Sequence, residues 1–187
     1  MISLCLASAA ALAQGAFVGV EGDYSFGSKL TVKGDDGSKI KFKKAQPGLG
    51  IKAGYDFDSF RAYGAYFYSF QTKKQIEDDD DRFTVKWKKH SLLAGVDYTP
   101  SITEDIKLVA GGYTGVSRLL ISRDDENKKF YDTGFVLGAK FGAEYLLDQN
   151  NILEAGMKTD YTFYKADDVS RVRESNIGLY VGYTYKF

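Results

Sequence analysis

The chain has 187 residues, and its 25 Lys and Arg balance 25 Asp and Glu, so it carries no net field that would gather nucleic acid or bind an anionic surface indiscriminately. Hydrophobic residues make up 44%, yet no stretch reaches the roughly 18 continuous apolar residues of a membrane helix, which excludes a helical membrane protein. Aromatics at 15%, with 20 Gly and only 2 Pro, favour strands over helices.

Residues 1–13 read MISLCLASAAALA, an apolar run too short to span a bilayer and closing on small residues at Ala11 and Ala13. That is a signal-peptide pattern, with cleavage expected before Gln14 and a mature unit over 14–187. Its basic n-region is missing, so the true start of the leader is left open. Cys5 is expected to leave with it, which removes disulfide, thiolate and metal-thiolate chemistry. Ile2, Ser3 and Leu4 lack the small residue that precedes a lipidated cysteine.

Beyond the leader, apolar residues recur with period 2, the spacing that sends alternate side chains to opposite faces of a strand. The first candidates are 18–26, 49–57, 60–70, 92–98 and 108–116. Between Phe83 and His90 the pattern is ambiguous, because Lys86, Lys88 and His90 share parity with the apolar set Leu92, Ala94, Val96 and Tyr98. Either the strand runs on beyond the apolar zone there, or a bulge resets it. The last three strands are cleaner. Residues 135–147 set Phe135, Leu137, Ala139, Phe141, Ala143, Tyr145 and Leu147 against Lys140 and Glu144. Residues 153–163 set Leu153, Met157, Tyr161 and Phe163 against Glu154, Lys158 and Asp160, and 176–187 set Ile177, Leu179, Val181, Tyr183, Tyr185 and Phe187 against Gly178, Tyr180, Gly182 and Thr184.

Short breaks at 56–59, 99–105 and 148–151 alternate with long charged ones at 27–47, 71–82, 122–131 and 164–171. Eight strands joined in this way form an all-β, antiparallel up-and-down barrel with both ends on the short-turn side. A soluble barrel with its apolar face inward is the main structural alternative. Three features favour a transmembrane β-barrel instead. The polar face alternates small with large, as in Gly111, Tyr113, Gly115 and Ser117, which fills a narrow lumen. That face carries both signs of charge, in Glu21, Asp23, Lys52, Arg61, Lys107, Lys140, Glu144, Glu154, Lys158, Asp160 and Lys186, with pairs such as Lys140 with Glu144 and Lys158 with Asp160 expected. Tyr24, Phe26, Tyr66, Tyr68, Tyr98, Tyr145, Tyr161 and Phe163 crowd the strand ends, where interfacial girdles lie.

The final strand carries the most specific pattern, a terminal Phe187 closing an alternating series of Leu179, Val181, Tyr183 and Tyr185. It resembles the assembly signal of outer-membrane barrels. With the leader and eight strands, nearly the whole chain resembles the small OmpA/OmpX-like superfamily of porin-like outer membrane proteins. The resemblance implies a bacterial outer-membrane location, contact with outer-membrane lipid and lipopolysaccharide, and biogenesis through periplasmic chaperones and the barrel-assembly machinery. The peptidoglycan-binding domain of full-length OmpA has no counterpart in the sequence.

Some small barrels modify lipopolysaccharide, which makes His90 and Ser91 candidates for base and nucleophile. Neighbours on a strand point to opposite faces and cannot share the activating hydrogen bond, so His90 reads as an interfacial residue near Trp87. The run Asp78 to Asp81, after Lys73, Lys74 and Glu77, lacks the spaced ligands of a calcium loop and reads as a solvated loop. Arg123, Lys128, Lys129, Lys165, Arg171 and Arg173 are candidate but unspecific contacts to lipid phosphates. The expectation is therefore a protein without catalytic residues, cofactor or metal. It would display its loops for envelope integrity, adhesion or surface interaction with an extracellular ligand the sequence does not identify. A narrow pore for small solutes, a lipid A-modifying enzyme and a soluble ligand-binding barrel are the alternatives.

Overall fold

In a lipid environment every backbone N–H and C=O must find a partner within the protein, and strands meet that demand only when their sheet closes on itself. The computed structural model describes residues 15–33, 39–78, 81–123, 129–164 and 171–187, with side chains in 15–28, 45–70, 88–120, 132–164 and 173–187. Its strands are β1 Ala16–Lys33, β2 Lys39–Asp56, β3 Phe60–Asp78, β4 Asp81–Tyr98, β5 Ile106–Arg123, β6 Lys129–Leu146, β7 Asn151–Tyr164 and β8 Arg171–Lys186. Each pairs antiparallel with its sequence neighbours, and β8 returns to β1 from Phe17↔Lys186 to Lys33↔Arg171, closing an eight-stranded barrel. The leader, 1–13, lies outside the described residues.

The short turns and the two described ends lie together. Phe187 N–H donates to the Ala16 carbonyl at 2.9 Å, and Lys186 N–H to the Asn150 carbonyl at 2.8 Å. Asp58 takes a positive φ of 73° to make the β2–β3 turn, and its N–H donates to Asp56 Oδ1 at 2.9 Å. In the β6–β7 turn the backbone N–H groups of Asn150 and Asn151 both donate to Asp148 Oδ1 at 2.8 Å. Those bonds hold the Asp148 carboxyl below its usual range.

The faces are oriented with apolar residues outward. Ile51, Leu92, Phe141 and Val181 are each 62 or 63% exposed, while Arg61, Asp97, Glu144 and Glu154 are at most 2% exposed. A soluble barrel with its greasy face inward is thereby ruled out. The core is the lumen itself, and aromatic rings fill it by lying over glycines. In four adjacent-strand pairs, Gly50↔Phe67, Tyr63↔Gly95, Tyr113↔Gly138 and Gly156↔Tyr180, a ring faces a residue without a side chain. A Cβ added at Gly138 would lie 2.3 Å from the Tyr113 ring, and one at Gly95 would lie 2.4 Å from Tyr63.

The strands are longer than the periodicity predicts. They run from 14 to 19 residues, where a tilted strand needs only about 9–11 to cross the hydrocarbon. The stretches 27–33, 39–47, 71–78, 81–82, 122–123 and 129–131, expected as loop, are strand. Alternation reports a lipid-facing surface, and it stops where both faces meet water although the hydrogen-bonded ladder continues. The ambiguity at 83–90 resolves the same way. β4 pairs with β5 without a shift from Val85↔Arg123 to Tyr98↔Ala110, so it extends, and the bulge lies opposite it in β3, between Ser69 and Thr72.

At this hairpin end the wall parts. The β2–β3 ladder runs only from Gly48↔Ser69 to Asp56↔Arg61. Above it, 39–44 and 46–47 pair with β1, and 72–78 pair with β4, from Thr72↔Trp87 to Asp78↔Asp81. Gln46 bridges the base of this gap, donating from Nε2 to the Phe70 carbonyl at 3.0 Å.

Candidate functional site

Charge in the lumen is arranged as linked clusters stacked along the barrel. Near the turn end Arg61 reaches Glu144 at 2.8 Å and Asp56 at 3.9 Å, with its guanidinium 5.2 Å from the Phe17 ring. Lys186 joins the same Asp56 at 3.3 Å. At the next level Glu154 is the junction, meeting Lys52 at 2.7 Å, Lys140 at 3.0 Å and Arg61 at 3.6 Å. Lys140 also reaches Asp97 at 2.7 Å and stands over the rings of Tyr63 and Tyr180. Higher still, Lys158 is held by Asp23 at 2.5 Å and Glu21 at 3.1 Å, and its ammonium stands 4.2 Å from the centre of the Phe67 ring. Toward the hairpin end Lys89 meets Glu174 at 3.4 Å, a carboxylate that also accepts from the Tyr164 hydroxyl at 2.8 Å.

Closure thus brings nine of the expected charges, Glu21, Asp23, Lys52, Arg61, Lys140, Glu144, Glu154, Lys158 and Lys186, into contact with partners on other strands. Asp160 stands apart from those ion pairs and accepts from the Asn176 amide at 2.9 Å. The same-strand pairs expected from the sequence, Lys140 with Glu144 and Lys158 with Asp160, are not the contacts that form. Residues four apart on a strand lie about 13 Å apart and residues two apart about 7 Å, so partners come from other strands. Asp56, whose inward side was expected, joins the charge pairs as well, and Asp97, Lys89 and Glu174 are members beyond those expected; the inward parity of Asp56, Asp97 and Lys89 follows from the alternation of their strands. Glu174 lies before the start at 176 that the alternation gives for the last strand.

The lumen retains a cavity of about 50 Å³, touching Glu21, Lys52, Tyr63, Phe67, Tyr113 and Lys158. That is space for a few waters. His90 and Ser91 diverge as the strand geometry requires. His90 Nδ1 lies 2.7 Å from the Tyr66 hydroxyl on the outside, while Ser91 points inward to Ser117 at 3.0 Å. The side chains of Trp87 and of the run Asp78 to Asp81 lie outside those described, as do those of Arg123, Lys128, Lys129, Lys165 and Arg171. Arg173 is exposed on β8, 5.9 Å from the Phe163 ring. On the last strand Leu179, Val181, Tyr183, Tyr185 and Phe187 all face outward, with Tyr185 and Phe187 edge to face at 5.3 Å.

A closed, even-stranded barrel with an apolar exterior and an ion-paired interior is a transmembrane barrel of the bacterial outer membrane. The sequence profile of the outer membrane protein beta-barrel domain matches residues 1–187, and the chain belongs to that family. Among solved structures the chain is similar to Neisserial surface protein A, NspA, with 21% identity and a TM-score of 0.62 over 92% of this chain and 97% of that one. It is also similar to OprH of Pseudomonas aeruginosa, at 19% identity and 0.55 over 92% and 99%. Ail, the attachment invasion locus protein of Yersinia pestis, matches at 21% and 0.50 over 91% and 99%. Among curated proteins, none matches the chain. At these identities the likeness is one of fold.

Proposed function

We propose that this barrel works without catalysis, as a rigid frame that holds open strand edges and hairpin loops outside the cell for attachment or surface interaction. The parting of β2 from β3 carries the reading. Nine-residue stretches of both strands, 39–47 and 70–78, leave the barrel wall with one edge each unpaired by the other. Unpaired strand edges accept an extended partner segment by main-chain hydrogen bonds. Attachment is named for Ail; for this chain it rests on the open edges. On the same reading the leader at 1–13 delivers the chain to periplasmic chaperones, the strand ending at Phe187 is presented to the assembly machinery, and lipopolysaccharide surrounds the hairpin end.

Two other readings have less support. A pore for small solutes is opposed by the cross-lumen ion pairs and the small cavity. A lipid A-modifying enzyme would need a nucleophile beside a base, and His90 and Ser91 lie on opposite faces.

The test uses the register. Leu30 faces Phe42 and Lys74 faces Val85, so 31–41 and 75–84 can each be replaced by a two-residue Asn-Gly hairpin turn. Bacteria displaying the full chain should attach to epithelial monolayers or serum-coated plastic above the parent strain, and the shortened chain should fall back to the parent level. Equal attachment by full and shortened chains, both migrating as heat-modifiable barrels, overturns the proposal.

A further inference from the structure

Charge in the lumen does not balance at every height. Toward the turns, Lys52, Arg61, Lys140 and Lys186 meet four carboxylates, those of Asp56, Asp97, Glu144 and Glu154. Toward the hairpins two described lysines, Lys89 and Lys158, face at least four, those of Glu21, Asp23, Asp160 and Glu174. Lys158 is held by Glu21 and Asp23, and Lys89 by Glu174. Asp160 is the carboxylate left over, and no described Lys or Arg forms an ion pair with it.

A second group is left over beside it. Asn176 lies directly opposite Asp160 in the β7–β8 ladder, is 4% exposed, and donates from Nδ2 to Asp160 Oδ1 at 2.9 Å. That bond fixes the amide, since turning it over would set its oxygen against the carboxylate. Asn176 Oδ1 is then buried without a hydrogen-bond partner. Water would satisfy the amide oxygen and leave the charge of Asp160 uncancelled, whereas a cation answers both.

Asp160 and Asn176 both line the lumen cavity of about 50 Å³, together with Ser25, Gln46 and Ser69. Gln46 and Ser69 stand at the base of the gap between β2 and β3, where Gly48↔Ser69 is the last pair of that ladder. The cavity therefore adjoins the gap. A carboxylate and an amide oxygen are hard donors, suited to a hard cation. Among the described residues no group of three His, Cys, Asp or Glu is placed to hold a metal ion. One unpaired carboxylate matches the charge of a monovalent ion and is too little for a divalent one.

We propose that the hairpin end of the lumen binds one alkali cation, sodium or potassium, between the Asp160 carboxylate and Asn176 Oδ1, with water in the cavity completing its shell. The ion enters by the β2–β3 gap and goes no further, because the balanced ion pairs below it close the lumen. It neutralises the carboxylate that has no lysine, and it stabilises the upper barrel whatever the hairpins attach to.

The full chain is refolded in a zwitterionic detergent, and the temperature at which its compact, heat-modifiable band is lost is measured in the chlorides of sodium, potassium and N-methylglucamine at equal ionic strength. N-methylglucamine is too large for the cavity. An alkali ion at ten times its dissociation constant should raise that temperature by about 3–6 °C over N-methylglucamine. Asp160→Asn should lose the difference between salts and should melt above the unaltered chain in N-methylglucamine, because it removes an uncompensated charge; a carboxylate that only braces the wall would cost stability in every salt. Crystals soaked in rubidium chloride should give an anomalous peak between Asp160 and Asn176. Equal temperatures for the unaltered chain in all three salts would mean that a proton or water answers Asp160, and would overturn the site. A salt difference that survives in Asp160→Asn would reduce it to general screening, and rubidium found only elsewhere would leave the pair without an ion; either result also overturns it.

Discussion

Glu154 meets more cations than any other described carboxylate of the lumen. It is 1% exposed and lies within 3.6 Å of Lys52, Lys140 and Arg61. Removing one partner from a buried ion cluster costs about 3–5 kcal/mol, because the remaining charges keep their desolvation penalty and lose their compensation. Glu154→Gln keeps the volume and takes one charge partner from each of three buried cations, leaving Lys52 with only Glu21 at 3.8 Å, so its midpoint in urea should fall by that equivalent and its assembled fraction with it. Lys107→Gln is the control, since its partner Asp58 is 92% exposed in its side chain and their contact is 3.7 Å. An exposed pair is worth about 1 kcal/mol or less. Comparable losses in the two variants would mean that the Glu154 cluster is solvated rather than buried. The same scale gives a second test at Gly138, whose added Cβ meets the Tyr113 ring. Gly138→Ala should cost about 1–3 kcal/mol from overpacking, and Tyr113→Ala in the same chain should relieve part of that cost. Additive losses in the double-mutant cycle would deny the contact.

Elements were legible where lipid imposes a pattern and illegible where it does not. The alternation of Leu179, Val181, Tyr183 and Tyr185 placed β8 correctly through the apolar belt, because an outward charge there is expensive and every second residue must be apolar. It could not follow β1 past Phe26 or β3 past Phe70, where water meets both faces and only the backbone ladder, which no single side chain reports, sustains the strand. Membership of the lumen followed from parity, so Glu21, Lys52 and Glu154 could be named together. Their pairing could not be named, because it depends on the stagger between strands, and the stagger is a property of closure. The bulge between Ser69 and Thr72 is equally silent in sequence. These elements carry their own prediction. Cleft-side amides of 39–47 and 70–78 lack the strand-to-strand ladder that protects the belt, and local opening there costs little. In detergent or nanodiscs they should exchange with deuterium orders of magnitude faster than those of 48–56 and 61–69. Uniform protection along β2 and β3 would mean the wall is continuous and the edges are not available to a partner.

At the scale of the whole molecule, the question is whether the barrel is a conduit or a support. Eight strands enclose a space just wide enough for side chains to fill, and here that space is crossed at successive heights by Arg61 with Glu144, by Glu154 with Lys52 and Lys140, and by Lys158 with Asp23 beneath the Phe67 ring. A hydrated ion passing through would have to displace each of these bridges in turn, and each displacement leaves buried charge uncompensated. The cavity among them is about 50 Å³, space for a few waters. Planar bilayers containing the folded chain should therefore show no steady conductance step. Removing the upper bridge and its ring together, Lys158→Ala with Phe67→Ala, should leave the lower two in place and the membrane still sealed, since any one closed level is sufficient. Steady conductance in the unaltered chain would reverse the ranking and make the narrow pore the better reading. A seal that survives the double variant but opens when Arg61→Ala and Glu154→Ala are added would place the barrier in the ion-paired levels, and would mean that the charges that stabilise the lumen also keep it shut.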